Sequence, residues 1–265
     1  METQLQEETQ PMPMQYDQQP PPVYMEQPKI PLQGIFTHLN LRVLKEPRAF
    51  IKIFQFIFGI CAFATTTDFR TSFSFFVECN KGDNVTITHD ITYPFELDAI
   101  NTKVTYCENK EDNLHLNGDF SSIAEFFVAV GVLAFLYTLA ALFLYTFCSS
   151  LYDNDDRVPI IDCAIHGVFV ILWLAASSAL ADVNTDIKSV SEVHKIIDLN
   201  PEICNSDNCT ALKEPNYAKV LISVLLGFLN TFLWGSNLWF LYKETRYFKG
   251  KSIPANGSAN IAGTA

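Results

Sequence analysis

Hydrophobic positions gather into four blocks along the chain, at about residues 50–67, 123–148, 160–181 and 217–242, with polar stretches between them. Each block approaches or exceeds the roughly 20 residues that a helix needs to cross a bilayer core. Ionised side chains are nearly absent from the block interiors. A buried soluble helix of this length keeps a polar stripe, and these blocks do not. The pattern predicts four transmembrane helices. The first block begins too far from the amino end for a removable signal peptide, and no small-residue cleavage site supports one, so it is expected to remain as a span.

Between the first two blocks the period changes. Val85, Ile87, Ile91, Tyr93 and Phe95 are spaced by polar residues, which predicts short antiparallel strands, half buried against something. Cys79 and Cys107 lie in this first long loop, and Cys204 and Cys209 in the second, between blocks three and four. Cys61, Cys148 and Cys163 lie within or at the ends of spans. An oxidising compartment is expected to join each loop pair locally, as Cys79–Cys107 and Cys204–Cys209, with cross-loop pairing as the alternative. The expected fold is an all-α membrane protein, a four-transmembrane-helix bundle with small disulfide-pinned loops that contain short β-strands.

Charge orients this bundle. Arg42, Lys45, Arg48 and Lys52 precede or open the first span, and Lys243, Arg246, Lys249 and Lys251 follow the fourth. Residues 68–120 hold ten Asp/Glu against four Lys/Arg, and residues 182–216 hold seven against three. The two loops therefore account for ten of the chain's eleven net negative charges. By the positive-inside rule both termini are cytosolic and the acidic loops lumenal or extracellular. The short 149–159 loop is itself acidic, but the eight flanking charges outweigh it. Such an acidic balance argues against nucleic-acid binding.

Topology then sorts the smaller motifs. Of three N-glycosylation sequons, Asn84 is the candidate; Asn208 adjoins a cysteine expected to be bridged, and Asn256 is cytosolic. Residues 1–39 are expected to be a disordered cytosolic Gln/Pro-rich tail with little aliphatic material for a core, and residues 247–265 a short polar cytosolic one. Pro21, Pro22 and Tyr24 in "PPVY" fit a WW-domain ligand, although a proline-rich tail produces such matches by chance. The membrane domain proper is expected at 40–246.

No catalytic motif, metal set or cofactor motif stands out. Asp162 and His166 lie four apart at the start of span three and read as a boundary carboxylate and a packing histidine. Glu125 reads as a solvated carboxylate at the other end of span two. Span four is more informative. Ser223, Gly227, Asn230, Trp234, Asn237 and Leu241 share one face by their spacing of three and four. An unpaired amide facing lipid costs several kcal/mol, so the two asparagines are expected to face protein and bond a neighbouring helix. Gly227 would permit close approach to the small surface "AASSALA" of span three, residues 175–181. Pore lining is the rival explanation, and two amides without charges make a poor ion path. Leu238, Tyr242 and Arg246 at the end of span four fit a weak sterol-contact pattern.

The segments "LKEPRAFIKIFQFIFGICAFAT" (44–65), "YPFELDAI" (93–100), "GDFSSIAEFFVAVGVLAFLYTLAAL" (118–142), "FVILWLAASSALADVNTDIK" (169–188) and "GFLNTFLWGSNLWFLYKET" (227–245) closely resemble the synaptophysin family. The likeness spans about residues 40–246. Neither the Cys-Cys-Gly motif of tetraspanins, nor a claudin first loop, nor three cysteines per loop as in connexins is present. The resemblance implies a MARVEL-type membrane domain in synaptic or other small secretory vesicles, with a disulfide in each lumenal loop and a glycan in the first. It also implies cholesterol association, homo-oligomers and a vesicle SNARE partner of the synaptobrevin type. The expected function is non-enzymatic organisation of vesicle traffic and exocytosis; the alternative is a channel-forming oligomer.

Overall fold

The computed structural model describes residues 46–79, 82, 84–98, 102–147, 157–204 and 208–245. Pro21, Pro22, Tyr24, Cys148, Arg246 and Asn256 lie outside them. In chain order the elements are α1 (Pro47–Thr67), β1 (Arg70–Val77), β2 (Val85–Thr92), β3 (Thr102–Tyr106), β4 (Lys110–Leu114), α2 (Ser121–Phe147), α3 (Arg157–Val190), α4 (Val193–Leu199), β5 (Cys209–Lys213) and α5 (Ala218–Glu244).

α1, α2, α3 and α5 are each long and apolar enough to cross a membrane, and only 33, 33, 28 and 33% of their spans is buried within the protein. The outward surface is apolar, with Leu133, Ile171, Leu225 and Phe232 all more than half exposed. Helices satisfy their own backbone groups, so a surface of this kind suits lipid. The chain is an integral membrane protein.

Local chemistry sets the helix ends. Pro47 opens α1 at a position whose N–H has no helical partner in any case. Asp119 accepts hydrogen bonds from the backbone N–H of Ser121 (2.9 Å) and its hydroxyl (2.6 Å) at the start of α2. These bonds hold the Asp119 carboxyl below its ordinary range. α1, α2 and α5 begin and end within three residues of the predicted blocks. α3 does not. It continues nine residues past the expected end at 181, giving a rod of about 51 Å. Hydropathy falls after Ala181, but Leu180, Val183, Asn184 and Ile187 remain buried at helical spacing. The inward stripe carries the helix on.

At one end of the bundle both long loops fold into a single head. β1 leaves α1 almost directly and is the central strand of a three-stranded sheet, order β2-β1-β5, while β3 and β4 form a separate hairpin. Phe75 pairs with Ile87 on one side and Ala211 on the other. Phe73, Phe75, Val77, Ile87 and Ile91 are buried in one core with bundle residues such as Phe127 and Trp173. The predicted alternation in β2 is present at Ile87 and Ile91, but the strand stops at Thr92, short of Tyr93 and Phe95. Pro94 has no N–H for the ladder, the Tyr93–Pro94 bond is cis, and Phe95 takes a φ of 76°. β1 and β5 were not marked by the sequence pattern.

Both disulfides are local. Cys79–Cys107 ties the end of β1 to the turn between β3 and β4, and Cys204–Cys209 ties the residues after α4 to the start of β5. The loops are also stitched to one another. The Asn200 side chain accepts from the His115 N–H (2.7 Å) and donates to its carbonyl (2.9 Å). Asn84 is exposed at the start of β2, its side-chain oxygen taking the Cys79 N–H.

Candidate functional site

The face of α5 read from the sequence points into the bundle. Ser223, Asn230, Trp234, Asn237 and Leu241 have no exposed surface. The Ser223 hydroxyl lies 2.8 Å from that of Thr65 on α1. Gly227 sits against Ser177 of α3 and Phe127 of α2, so closely that a Cβ there would lie 2.2 Å from the Ser177 hydroxyl oxygen. Trp234 packs its ring 4.7 Å from His166 and 4.5 Å from Phe169. The "AASSALA" surface of α3 is thus where α5 makes its close approach.

The two asparagines part company. Asn237 reaches α3, its Nδ2 standing 3.2 Å from His166 Nε2. Asn230 does not bond another helix. Its Nδ2 donates to the Leu226 carbonyl one turn back on α5 (2.9 Å), and its Oδ1 takes no donor among the described residues. A short amide within reach of the carbonyl four residues earlier can bond its own helix instead of a neighbour.

Below this face lies a set of polar side chains on all four spans. Asp162 and His166 come from α3, Lys52 and Gln55 from α1, Tyr137 and Tyr145 from α2, and Asn237 from α5. Lys52 was counted above as a flanking charge of span one, and that reading is corrected here: it is fully buried and pairs with Asp162 at 3.1 Å. Taking a lysine out of water is costly unless a counter-charge meets it, and Asp162, buried here and not the boundary carboxylate read from the sequence, supplies one. The Asp162 carboxylate also accepts from both tyrosine hydroxyls, Tyr137 on Oδ1 and Tyr145 on Oδ2. Gln55, one turn from Lys52, donates to the Leu233 carbonyl of α5 (3.4 Å).

His166 completes the set, and its neighbours fix its tautomer. Nε2 faces two donors, Lys52 Nζ and Asn237 Nδ2, each at 3.2 Å. An ammonium has no acceptor, so Nε2 must be the accepting nitrogen. The proton then sits on Nδ1, which donates toward the Asp162 carbonyl (2.9 Å) and carboxylate (3.2 Å). The ring is neutral and the buried charges cancel as one ammonium and one carboxylate. The carboxylate is occupied by donors from three helices, which makes it a clasp between spans.

Other predicted residues lie apart from this cluster. Leu238 is half buried, and Tyr242 is exposed and stacks on Trp239, whose ring also lies 5.1 Å from Lys243 Nζ. Glu125 is exposed, as a boundary carboxylate should be. Lys52, Gln55, Tyr137 and Tyr145 had not been marked as site residues. A signal existed: Lys52 stands between apolar neighbours on both sides, and Gln55 shares its helix face.

The geometry predicts unequal roles for the two amides. Asn237→Leu should weaken the α3–α5 contact by about 1 kcal/mol, the usual scale of an interhelical bond in lipid. Both amide oxygens lack a donor among the described residues, but Asn230→Leu removes a bond only to the residue's own helix and should cost less than about 0.5 kcal/mol. Denaturant titration of each variant in bicelles measures this, and equal losses would refute the assignment.

Four membrane-crossing helices, a buried clasp joining them and one disulfide-pinned head agree with a comparison by family. Residues 43–240, about three quarters of the chain, match MARVEL, described as a membrane-associating domain, and the chain therefore belongs to the MARVEL family.

Proposed function

We propose that this protein is a non-enzymatic organiser of synaptic or other secretory vesicle membranes, acting in traffic and exocytosis by assembling with copies of itself, with cholesterol and with a vesicle SNARE of the synaptobrevin type. The observation that carries the reading is the division of surfaces. Lys52, Asp162, His166 and Asn237 are buried within the bundle and engaged with one another, whereas large apolar side chains such as Leu133, Ile171, Leu225 and Phe232 face outward and are available to lipid and to partner helices. The resemblance of five long segments to the synaptophysin family supplies the vesicle setting. On this reading both termini are cytosolic and the acidic head is lumenal, where an oxidising compartment maintains its two disulfides and exposed Asn84 carries a glycan. The pattern at Leu238, Tyr242 and Arg246 is a sterol contact.

A channel draws less support. Asn230 and Asn237 are fully buried, and Trp173, Trp234 and Phe127 fill the interior between the spans. Crosslinking in intact vesicles, followed by pull-down and identification of partners by mass, tests the proposal. Self-crosslinked species together with a vesicle SNARE are expected. Recovery of neither, from vesicles that contain the protein, would overturn it.

A further inference from the structure

Where α1 gives way to β1, the head and the bundle border an open cavity of about 670 Å³ whose lining includes Thr67, Asp68, Arg70, Thr92, Tyr93 and Lys219. Thr67 is the last residue of α1 and Lys219 the second of α5. The cavity therefore sits at the level where two spans leave the bilayer. Its charges are unequal. Lys219 Nζ donates to the Asp68 carboxylate (2.9 Å) and carbonyl (3.3 Å), and this partner holds the Asp68 carboxyl below its ordinary range. That pair cancels. Arg70 remains exposed, and no acceptor among the described residues takes its guanidinium, so the lining carries one surplus positive charge. Glu125 acts on Tyr93 from nearby but does not line the cavity. On the membrane side of Lys219, Ile222 lies one turn along α5 on the same face, and it and Leu225 are 49 and 61% exposed.

We propose that this cavity binds the phosphodiester of a phospholipid from the leaflet on the head side. A phosphodiester carries one negative charge, equal to the surplus. The guanidinium fork of Arg70 takes two of its oxygens, and the hydroxyls of Thr92 and Tyr93 can donate to the others. The acyl chains then run along the apolar strip at Ile222 and Leu225. Inorganic phosphate offers the same oxygens but nothing for that strip. The position at the span ends favours the lipid.

The test places the full chain in nanodiscs with a phosphatidylcholine bearing a diazirine close to the glycerol, and maps the labelled peptides. Labelling should concentrate at residues 67–70 and 219–225. Arg70→Gln should lower it about ten-fold, the scale of a lost charge-assisted bond. Lys103→Gln, an equal change in charge on β3, should leave it unchanged. Arg70→Lys, which keeps the charge and loses the fork, should fall between. A diazirine diacylglycerol, lacking the phosphate, should not label these peptides. Even labelling of all spans in the parent protein would overturn the site, as would undiminished labelling in a folded Arg70→Gln. Labelling by the diacylglycerol would overturn the phosphate contact. Displacement by inorganic phosphate alone would show a soluble-anion site and overturn the lipid assignment.

Discussion

Replacing Lys52 with methionine is expected to cost about 3–5 kcal/mol of stability, the scale of removing one partner of a buried ion pair. The loss exceeds that of one salt bridge because of what stays behind. Asp162 remains in a membrane span, its charge no longer balanced, with Tyr137, Tyr145 and His166 donating to it. Asp162→Asn alone strands the ammonium instead and should cost a similar amount. The double variant Lys52→Met/Asp162→Asn removes both charges, and the new amide can still accept from a tyrosine. Most of the loss should therefore return, leaving roughly 1–2 kcal/mol from imperfect bonding. Trp234, whose ring lies 4.7 Å from that of His166, provides a fluorescence reporter within the cluster. If the two single costs simply added in the double variant, the residues would not be coupled and the clasp would be wrong.

The part of this protein that was legible in the sequence is the part governed by solvent. Lipid imposes length and apolarity on each span, so the four blocks and their approximate ends could be read directly. Helical spacing alone brought Ser223, Gly227, Asn230, Trp234 and Asn237 onto one face, and all of them are turned inward. The cysteine pairs followed from their loops. What could not be read depends on which helix faces which. Lys52 near a span end looks like an interfacial anchor until Asp162, 110 residues away, is brought beside it. Tyr137 and Tyr145 carry no mark in the sequence that distinguishes them from lipid-facing aromatics. β5 becomes a strand by pairing with β1, across about half the chain's length. The longer α3 was a different kind of miss. Hydropathy ended the predicted span at Ala181, whereas the periodicity of Leu180, Val183, Asn184 and Ile187 continued. In that stretch period was a better guide than composition.

Gly227→Ala should destabilise the bundle by about 1–3 kcal/mol, the usual range for an added methyl in a packed interior. The added Cβ would lie 2.2 Å from the Ser177 hydroxyl oxygen, 3.1 Å from the Ser177 Cβ and 2.8 Å from a ring carbon of Phe127. The hydroxyl can turn away, but the ring is itself packed edge-on to Trp173, centroids 5.7 Å apart. Adding Ser177→Ala to the Gly227→Ala variant should therefore recover only part of the loss. Ser177→Ala by itself should be nearly silent, since its buried hydroxyl oxygen takes no partner among the described residues. Gly235 is the internal control. It lies two turns along the same helix, and a Cβ there meets nothing within 4 Å. Gly235→Ala should be neutral or slightly stabilising, because alanine favours a helix by up to about 1 kcal/mol over glycine. Equilibrium unfolding in bicelles, normalised to inserted protein, measures all four variants. A common effect of alanine at positions 227 and 235 would mean that glycine acts through helix propensity alone. A loss confined to position 227, with partial recovery through Ser177, would show that the α3–α5 approach sets the packing of the bundle.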